Sequence, residues 1–318
     1  PKPSSAASDV YKRQILLSIA FYSMAWHELL KDLSLDLSYR KAFLYSFVGN
    51  FVDLVLPLET ISGEVTRLYL LRSDIKNDFG KAVASLVYHR IISISTTLIA
   101  LIVSSICLII AYNIPFEVIL FLFLVIICTA ATSILLLYLS LSDKAAGKIV
   151  DLLIRMVSFF VKDEGKILYL KERAMNDLSV FHSAAKFFGR NPRRLVKPFT
   201  YSYFSWFSQL TIYLLVFYAL GIPWILRCIP QMVVVFSITL AVQTIPIGFP
   251  VGLVEFVMTY LYNILLGTSP AVNGLATSLI RLVTFWFQVF VGFMIVQWLG
   301  IKRVLQTDRE ETRKSSSE

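Results

Sequence analysis

The clearest shortage in this 318-residue chain is charge, because only 16% of its residues are Asp, Glu, Lys or Arg. A soluble domain of this size carries about 25% charged residues, so the composition excludes an ordinary soluble enzyme. Apolar residues make up 57% of the chain, and several apolar runs approach or exceed the ~20 residues that cross a ~30 Å hydrocarbon core. Since the runs show no period-2 alternation, we predict an all-α fold, a polytopic helical membrane bundle, rather than a barrel.

Cysteine is also scarce, with three residues at wide spacing in or beside apolar runs, Cys107, Cys128 and Cys228. This odd count and spacing indicate neither a disulfide framework nor a metal site. The sequence shows no metal-ligand cluster, nucleotide-binding glycine loop or nucleophile–base pair either. We therefore expect no cofactor, no metal and no catalytic residue.

Residues 1–14 lack the basic, apolar and small-residue order of a signal peptide. Their Pro, Ser and Ala character ends abruptly at Ile15. We expect them to be a non-native leader fused to a clipped reading frame, with the fold beginning at Ile15.

The charges that are present concentrate in residues 142–197, which hold twelve Lys or Arg against six Asp or Glu. Since basic loops stay on the cytoplasmic side of a membrane, we expect a cytoplasmic loop here. Nucleic acid is the alternative partner for such a region, but apolar residues recur in it at a spacing that favours an amphipathic helix on the membrane surface. We therefore expect no nucleic-acid partner. The apolar residues of this pattern are Ile149, Leu152, Leu153, Met156, Phe159 and Phe160.

Single apolar runs supply the candidate membrane spans. They are residues 82–112, 116–141, 199–220 and 271–299, with 15–30 a little short for a full span.

Two further apolar regions, 42–72 and 231–266, are each interrupted. In both a proline, Pro57 or Pro246, is followed six residues later by a glycine. Neither half of either region is long enough to cross a membrane alone, so each predicts a broken re-entrant hairpin.

The surroundings of the two hairpins repeat. Roughly thirty-five residues beyond each proline an arginine stands within an apolar run, first Arg90 and then Arg281. The order of span, broken hairpin and arginine-bearing span occurs in 15–112 and again in 199–299, with 116–141 as a linker span between them. With the basic loop inside, the first copy enters its hairpin from the cytoplasm and the second from outside, which predicts two inverted repeats.

The same loop assignment orients the rest of the chain. The loops near Gly221 and Gly267, which are nearly free of basic residues, are expected outside, and the polar tail 300–318 in the cytoplasm. We expect a multi-pass protein of the plasma membrane.

Charged side chains inside apolar segments are the candidates for function, because a charge at membrane depth costs about 2.5 to 3.5 kcal/mol. Paired interrupted helices indicate a substrate site near the midplane of a secondary transporter. Arginine suits an anionic phosphate there, since its planar guanidinium donates two parallel hydrogen bonds and stays protonated. The candidate substrate-binding residues are Glu64, Arg67, Arg90, Glu255 and Arg281. The polar residues expected around them are Asn50, Asp53, Glu59, His89 and Gln243.

Each candidate also has a purely structural interpretation. Glu64 and Arg67 have the i, i+3 spacing of a local helix pair. Arg90 and Arg281 could each neutralise a buried glutamate only to hold the bundle together, and His89 could be a satisfied interfacial residue. The sequence leaves both interpretations open.

The residues after the first break resemble a known family. Residues 63–71, Gly-Glu-Val-Thr-Arg-Leu-Tyr-Leu-Leu, are similar to the G-E-x-x-R-x-x-L-L signature of the flippase-like family related to the transmembrane region of lysylphosphatidylglycerol synthases. Residues 88–90 are similar to that family's x-E-R element and residues 252–255 to its G-x-x-E, while Arg281 stands where the family has a late arginine. The resemblance covers about residues 20–300.

Two departures from the family pattern stand out. His89 replaces the usual acidic residue before Arg90, so a carboxylate role does not carry over to that position. The glycine-rich run before the late glutamate is thinned in residues 247–252.

The resemblance implies a flippase-like transporter that moves an anionic or glycosylated (phospho)lipid, including the polyprenyl-phosphate type, between leaflets. Because only a short polar tail follows Leu299, we expect no soluble aminoacyl-transferase domain and more a carrier than an enzyme. The alternatives are an accessory or catalytic membrane subunit of lipid-linked glycan assembly or lipid head-group modification, and a scaffold without substrate. The sequence is compatible with a homo-oligomer.

Overall fold

The computed structural model of the chain describes residues 5–56, 61–75, 78–112, 114–160, 163–243 and 251–300. Within these residues every regular element is helical, which confirms the all-α prediction. Three helices are long and apolar enough to cross a bilayer, Phe79–Ala111, Phe116–Leu141 and Pro270–Gly300. Their hydropathy and length together define an integral membrane protein.

The α-helices of the described residues are α1 (Ser5–Asp32), α2 (Tyr39–Val55), α3 (Ile61–Arg72), α4 (Phe79–Ala111), α5 (Phe116–Leu141), α6 (Asp143–Phe160), α7 (Glu164–Arg190), α8 (Val196–Ala219), α9 (Ile229–Gln243), α10 (Leu253–Leu266) and α11 (Pro270–Arg281). Short 3₁₀ turns, Pro192–Leu195 and Pro223–Arg227, precede α8 and α9. A π-helical turn, Leu282–Phe287, continues α11 into a helix that ends at Gly300.

Two hydrophobic cores organise these helices. One surrounds α8 and α9 and includes Phe217, whose ring meets the Tyr262 ring of α10 at 4.8 Å between centroids. The other lies between the carboxyl-terminal half of α1, the helix pair α2–α3, α4 and α7, with Trp26, Leu71 and Phe188 fully buried in it. Because lipid is as apolar as these side chains, close packing rather than transfer out of water holds such helices together.

Helices α1 and α8 join the two cores. They pack along each other, and the hydroxyls of Ser18 and Ser205 lie 3.1 Å apart at their contact. Small hydroxyl residues at a helix crossing let two backbones approach closely, so this pair forms the central contact of the bundle.

Helix α1 begins at Ser5, before the expected start of the fold at Ile15. The Tyr11 side chain is buried against α8, where its hydroxyl donates to the Leu215 carbonyl at 3.3 Å. The helix therefore extends into the segment that the sequence assigned to a leader, while the non-native origin expected for residues 1–14 stays a prediction.

The basic region 142–197 folds into α6 and α7 rather than an open loop. The carboxyl-terminal half of α7 packs against α4, where the Tyr88 hydroxyl donates to the Ala185 carbonyl at 3.0 Å. Gly80 permits this approach, because a Cβ there would collide with the Asp177 backbone carbonyl. Part of the region is therefore an integral layer of the bundle.

Candidate functional site

Arg67, on α3, is the centre of a first polar cluster. Its side chain is only 3% exposed, and its Nη2 lies 2.6 Å from Glu64 Oε1 in the i, i+3 arrangement. The same nitrogen donates to the Tyr22 hydroxyl, and Nη1 donates to His89 Nδ1, both at 3.2 Å. The guanidinium also lies over the Tyr22 and Trp26 rings, 5.3 and 5.1 Å from their centroids. Arg67 is thus held on every side by protein groups.

The two hydrogen-bond partners of His89 determine its tautomer. Its Nε2 lies 3.1 Å from the Tyr22 carbonyl, which can only accept a hydrogen bond. Its Nδ1 faces Arg67, which can only donate. A neutral ring with hydrogen on Nε2 satisfies both contacts. This explains how histidine can stand next to Arg90, where the family pattern has an acid, without losing contact with the cluster.

The two acids of the first cluster, Glu64 and Asp53, have different hydrogen-bond partners. Glu64 uses Oε1 for Arg67, while its Oε2 is buried and has no partner among the described residues. Asp53, on α2, accepts from the Gly63 backbone N–H at 2.6 Å and from the Ser62 hydroxyl at 2.9 Å. A carboxylate on the free N–H groups at the start of α3 satisfies donors that the helix itself cannot, so Asp53 holds α3 against α2.

Helices α2 and α3 approach closely because both contribute glycine. A Cβ on Gly63 would collide with the Asp53 carboxylate and the Gly49 carbonyl. A Cβ on Gly49 would lie 2.9 Å from the Arg67 side chain. The glycines thus bring the acid of one helix onto the amino end of the next.

Arg90, on α4, is half-buried and forms no hydrogen bond or ion pair with a described residue. It lies close enough to attract both Asp53 and Glu64 electrostatically. The first cluster thus consists of Glu64, Arg67, Asp53 and His89, and Arg90 lies near it without a hydrogen bond or ion pair to a described residue.

A second polar cluster joins α10 to α11. Arg281 Nε donates to Glu255 Oε1 at 2.7 Å, and Glu255 Oε2 accepts from the Gly252 backbone N–H at 2.7 Å. Gly252 has φ of 101°, a value that side-chain-bearing residues rarely adopt, and it directly precedes α10. The glutamate therefore caps its own helix while it holds the arginine of the next.

The rest of the Arg281 guanidinium has no hydrogen-bond partner in the part of the chain that the structure describes. The side chain is 3% exposed, and its Cζ lies 4.5 Å from the Phe285 ring centroid. Nη1 and Nη2 are buried, yet neither finds a hydrogen-bond partner among the described residues. An orphaned buried donor normally costs about 1–3 kcal/mol, and more when it is charged. The pair of nitrogens is therefore the strongest indication of an anion site in the described chain.

Two features of the local structure place Arg281. It ends α11 and is followed directly by the π-helical turn Leu282–Phe287, an irregularity that recurs at functional sites. The α10–α11 connection is fastened by the buried Asn273, whose Nδ2 donates to Asn263 Oδ1 at 2.5 Å and to the Thr268 carbonyl at 3.0 Å. Such interhelical hydrogen bonds keep the glutamate and the arginine in register.

Several expected site residues lie apart from these clusters or outside the described residues. Asn50 on α2 and Gln243 at the end of α9 are half-buried, and neither forms a side-chain hydrogen bond with a described residue. Glu59 and the proline-rich break at 246–250 lie outside the described residues. No hydrogen bond or ion pair between described residues joins Glu64 or Arg67 to Glu255 or Arg281. The first cluster reaches α1 through Tyr22, and the π-helical turn after Arg281 also packs on α1.

Tyr22 and Trp26 are the residues that sequence reasoning missed. They stand on α1 in i, i+4 positions and form the aromatic wall against which Arg67 lies. Two aromatic residues at this spacing in the first apolar run share a helix face. That spacing could have indicated them as partners of a buried cation.

An apolar cleft of about 460 Å³ opens between α2 and the helix that continues α11. It is lined by Phe51, Val55, Trp286, Val289, Phe290 and Phe293.

The described residues thus define a polytopic helical membrane protein that buries two Glu–Arg pairs within its bundle. The chain belongs to the family described as the lysylphosphatidylglycerol synthase TM region, whose model matches residues 14–292. This match confirms the resemblance carried by residues 63–71.

Two archaeal proteins are similar to this chain over most of their length. A UPF0104 membrane protein of Methanothermobacter thermautotrophicus is 21% identical over 282 residues, 89% of this chain and 82% of the relative. The UPF0104 membrane protein PH1989 of Pyrococcus horikoshii is 23% identical over 294 residues, 88% of this chain and 83% of the relative. No solved structure matches the chain.

Proposed function

We propose that this protein is a flippase-like transporter that moves an anionic or glycosylated (phospho)lipid between the leaflets of the plasma membrane. In this proposal Glu64, Arg67, Arg90, Glu255 and Arg281 bind the lipid head group, and the tails remain in or beside the hydrocarbon phase.

The observation that carries the proposal is the unpartnered pair of nitrogens on Arg281. A buried guanidinium whose Nε is held by Glu255 presents Nη1 and Nη2 as a planar fork. Two oxygens of a phosphate match that fork, and their charge compensates the cation in a low-dielectric site. A phosphate-bearing head group is therefore the ligand class that this site favours.

Glu64 supplies the complementary function in the first cluster. Arg67 is held by Glu64, Tyr22 and His89, so in this proposal it binds the head group together with Glu64, which it also orients. Glu64 Oε2 is buried and free to accept. A sugar hydroxyl or an ammonium group on the lipid is the donor that suits such an oxygen.

The apolar cleft between α2 and the continuation of α11 is the proposed binding site for the lipid tails. Its lining is entirely hydrophobic. An acyl or isoprenoid chain fits there while the charged head group contacts the buried pairs.

The proposal includes two inverted repeats, residues 15–112 and 199–299, each with a broken re-entrant hairpin. The contacts between helices support it. The equivalent helices α1 and α8 pack on each other, and α4 of the first copy packs on α9 of the second. In return, α2 of the first copy meets the last helix of the second, where a Cβ on Gly292 would collide with Phe51. Such an exchange is expected of two halves related by a pseudo-two-fold axis, with the substrate between them.

Transport of lipid by purified protein in liposomes tests the function. Reconstituted protein should move a fluorescent anionic phospholipid or a polyprenyl phosphate between leaflets faster than empty liposomes do. Arg281→Ala should slow that movement, whereas Arg227→Ala, an exposed arginine of the 3₁₀ turn before α9, should not. Both variants must elute as folded protein.

Two results would contradict the carrier. One is the absence of movement above empty liposomes for every anionic lipid tried. The other is transfer of a sugar or aminoacyl group to lipid by the protein alone, which would favour the enzyme alternative.

A further inference from the structure

Helix α6 starts at the membrane surface. The apolar span α5 ends at Leu141, and α6 begins at Asp143 with only Ser142 between them. The Ser142 hydroxyl accepts from the Ala145 backbone N–H, which caps the new helix at the turn. Since one residue reaches less than ~4 Å, the amino end of α6 lies where the hydrocarbon ends.

An apolar stripe runs along α6, and its first member, Ile149, also lines the cleft between α6 and α7. Its members are spaced by three, four and three positions and therefore share one face of the helix. Single exposed apolar residues are ordinary, but a continuous stripe indicates an interaction surface. The stripe consists of Ile149, Leu152, Met156 and Phe159, which are 41%, 56%, 58% and 82% exposed.

The acidic and basic residues of α6 differ in their partners. Both of its acids are neutralised by α7, since Asp143 pairs with Lys186 at 3.1 Å and Asp151 with Lys171 at 3.0 Å. Its basic residues form no ion pair within the described part of the chain. They are Lys144, Lys148 and Arg155, which lie beside the apolar stripe.

We propose that α6 lies in the plane of the membrane interface and binds anionic phospholipids. The stripe of Ile149, Leu152, Met156 and Phe159 enters the acyl region, and the three basic side chains reach the phosphate groups at the level of the helix. An amphipathic helix with basic residues next to its apolar face binds anionic surfaces in this way. This inference does not depend on lipid transport.

A fluorescent reporter on the stripe tests the location. In a background with Cys107, Cys128 and Cys228 replaced by Ser, Met156→Cys is labelled with a polarity-sensitive dye and reconstituted in vesicles of phosphatidylcholine with or without phosphatidylglycerol. The matched control is Met175→Cys on α7, another exposed methionine, between Lys171 and Ser179 on its own helix face. The label at 156 should be quenched by lipid-borne nitroxide and the label at 175 by aqueous iodide. Equal iodide quenching at both positions in both vesicle types would overturn the proposal.

Removal of charge tests the choice of lipid. Each basic residue near an anionic surface raises membrane partitioning about fivefold. The triple variant Lys144→Gln, Lys148→Gln, Arg155→Gln should therefore lose the extra lipid quenching that phosphatidylglycerol produces, while it elutes like the parent. If quenching is independent of phosphatidylglycerol in the parent, the anionic preference is wrong. If the label at 156 is protected only in nanodiscs that hold two copies, a second chain covers the stripe and the proposal fails.

Discussion

Arg281 and Glu255 form an ion pair, with 2.7 Å between Nε and Oε1, that ties α11 to α10. Within the described residues Nε is the only guanidinium nitrogen of Arg281 with a hydrogen-bond partner. The first cluster holds its ion-paired arginine differently. There Arg67 is enclosed by a carboxylate, a hydroxyl, an imidazole and two aromatic rings. The arginine is thus enclosed in the first cluster, whereas in the second the Nη1 and Nη2 donors of Arg281 have no partner among the described residues.

Glu255→Ala should destabilise the protein by about 3 kcal/mol, because breaking a buried pair leaves an uncompensated charge on Arg281. The unfolding temperature in detergent, followed by tryptophan fluorescence, measures the loss. Glu172→Ala, which removes an exposed acid of α7, should leave that temperature unchanged. An equal effect of the two substitutions would show that the Glu255 pair contributes nothing.

Arg67→Lys should lower stability by about 2 kcal/mol, although it keeps the positive charge. An ammonium group cannot donate at once to Glu64, Tyr22 and His89 in the planar arrangement of the guanidinium, nor lie flat on the rings. Arg72→Lys, at the exposed end of the same helix, is the matched control and should have little effect. The comparison uses thermal unfolding of the two purified variants. If both unfold at the parent temperature, the enclosure of Arg67 is not structural.

Gly63→Ala should separate α2 from α3, since the new Cβ would collide with the Asp53 carboxylate and the Gly49 carbonyl. Overpacking of this kind costs about 1–3 kcal/mol. Gly147→Ala on α6 meets nothing within 4 Å and should be neutral or stabilising by up to about 1 kcal/mol. A lower unfolding temperature for Gly63→Ala and an unchanged or higher one for Gly147→Ala would support the close approach of α2 and α3. An unchanged unfolding temperature for Gly63→Ala would contradict it.

Cysteine labelling checks the proposed orientation in the membrane. In the cysteine-free background, Ala271→Cys at the exposed start of α11 should react with an impermeant maleimide on intact cells. Gly165→Cys, at the start of α7, should react only after permeabilisation, because the positive-inside rule puts the basic helices in the cytoplasm. The reverse labelling pattern would show that the protein has the opposite orientation in the membrane. Labelling of both cysteines from outside would exclude the proposed topology.

The sequence predicted the membrane class, which the apolar helices and the family match confirm. Composition alone required a helical bundle, and long apolar runs located α4, α5 and the helix that begins with α11. Rarity of charge at membrane depth singled out Arg67 and Arg281 before any contact was known. The sequence could not show that α7 packs against α4, because the α7 pattern of charged and apolar residues is equally typical of a solvated helix.

The partners of each charged side chain could be identified only from the tertiary structure. The i, i+3 spacing of Glu64 and Arg67 offered a local pair, and the structure has that pair, but Tyr22 comes from a helix forty-five positions away in the chain. In the sequence Gly63 is the glycine that follows the first break, whereas in the structure its backbone N–H is where the Asp53 carboxylate binds the start of α3.

What the sequence determined by itself is where the chain meets lipid and which side chains are too costly there to be accidental, since both follow from hydropathy and local spacing. The tertiary structure alone decided which of those side chains have hydrogen-bond or ion-pair partners. Satisfaction depends on atoms brought together by helix packing, and packing left Arg67 enclosed and the Nη1 and Nη2 of Arg281 without a described partner.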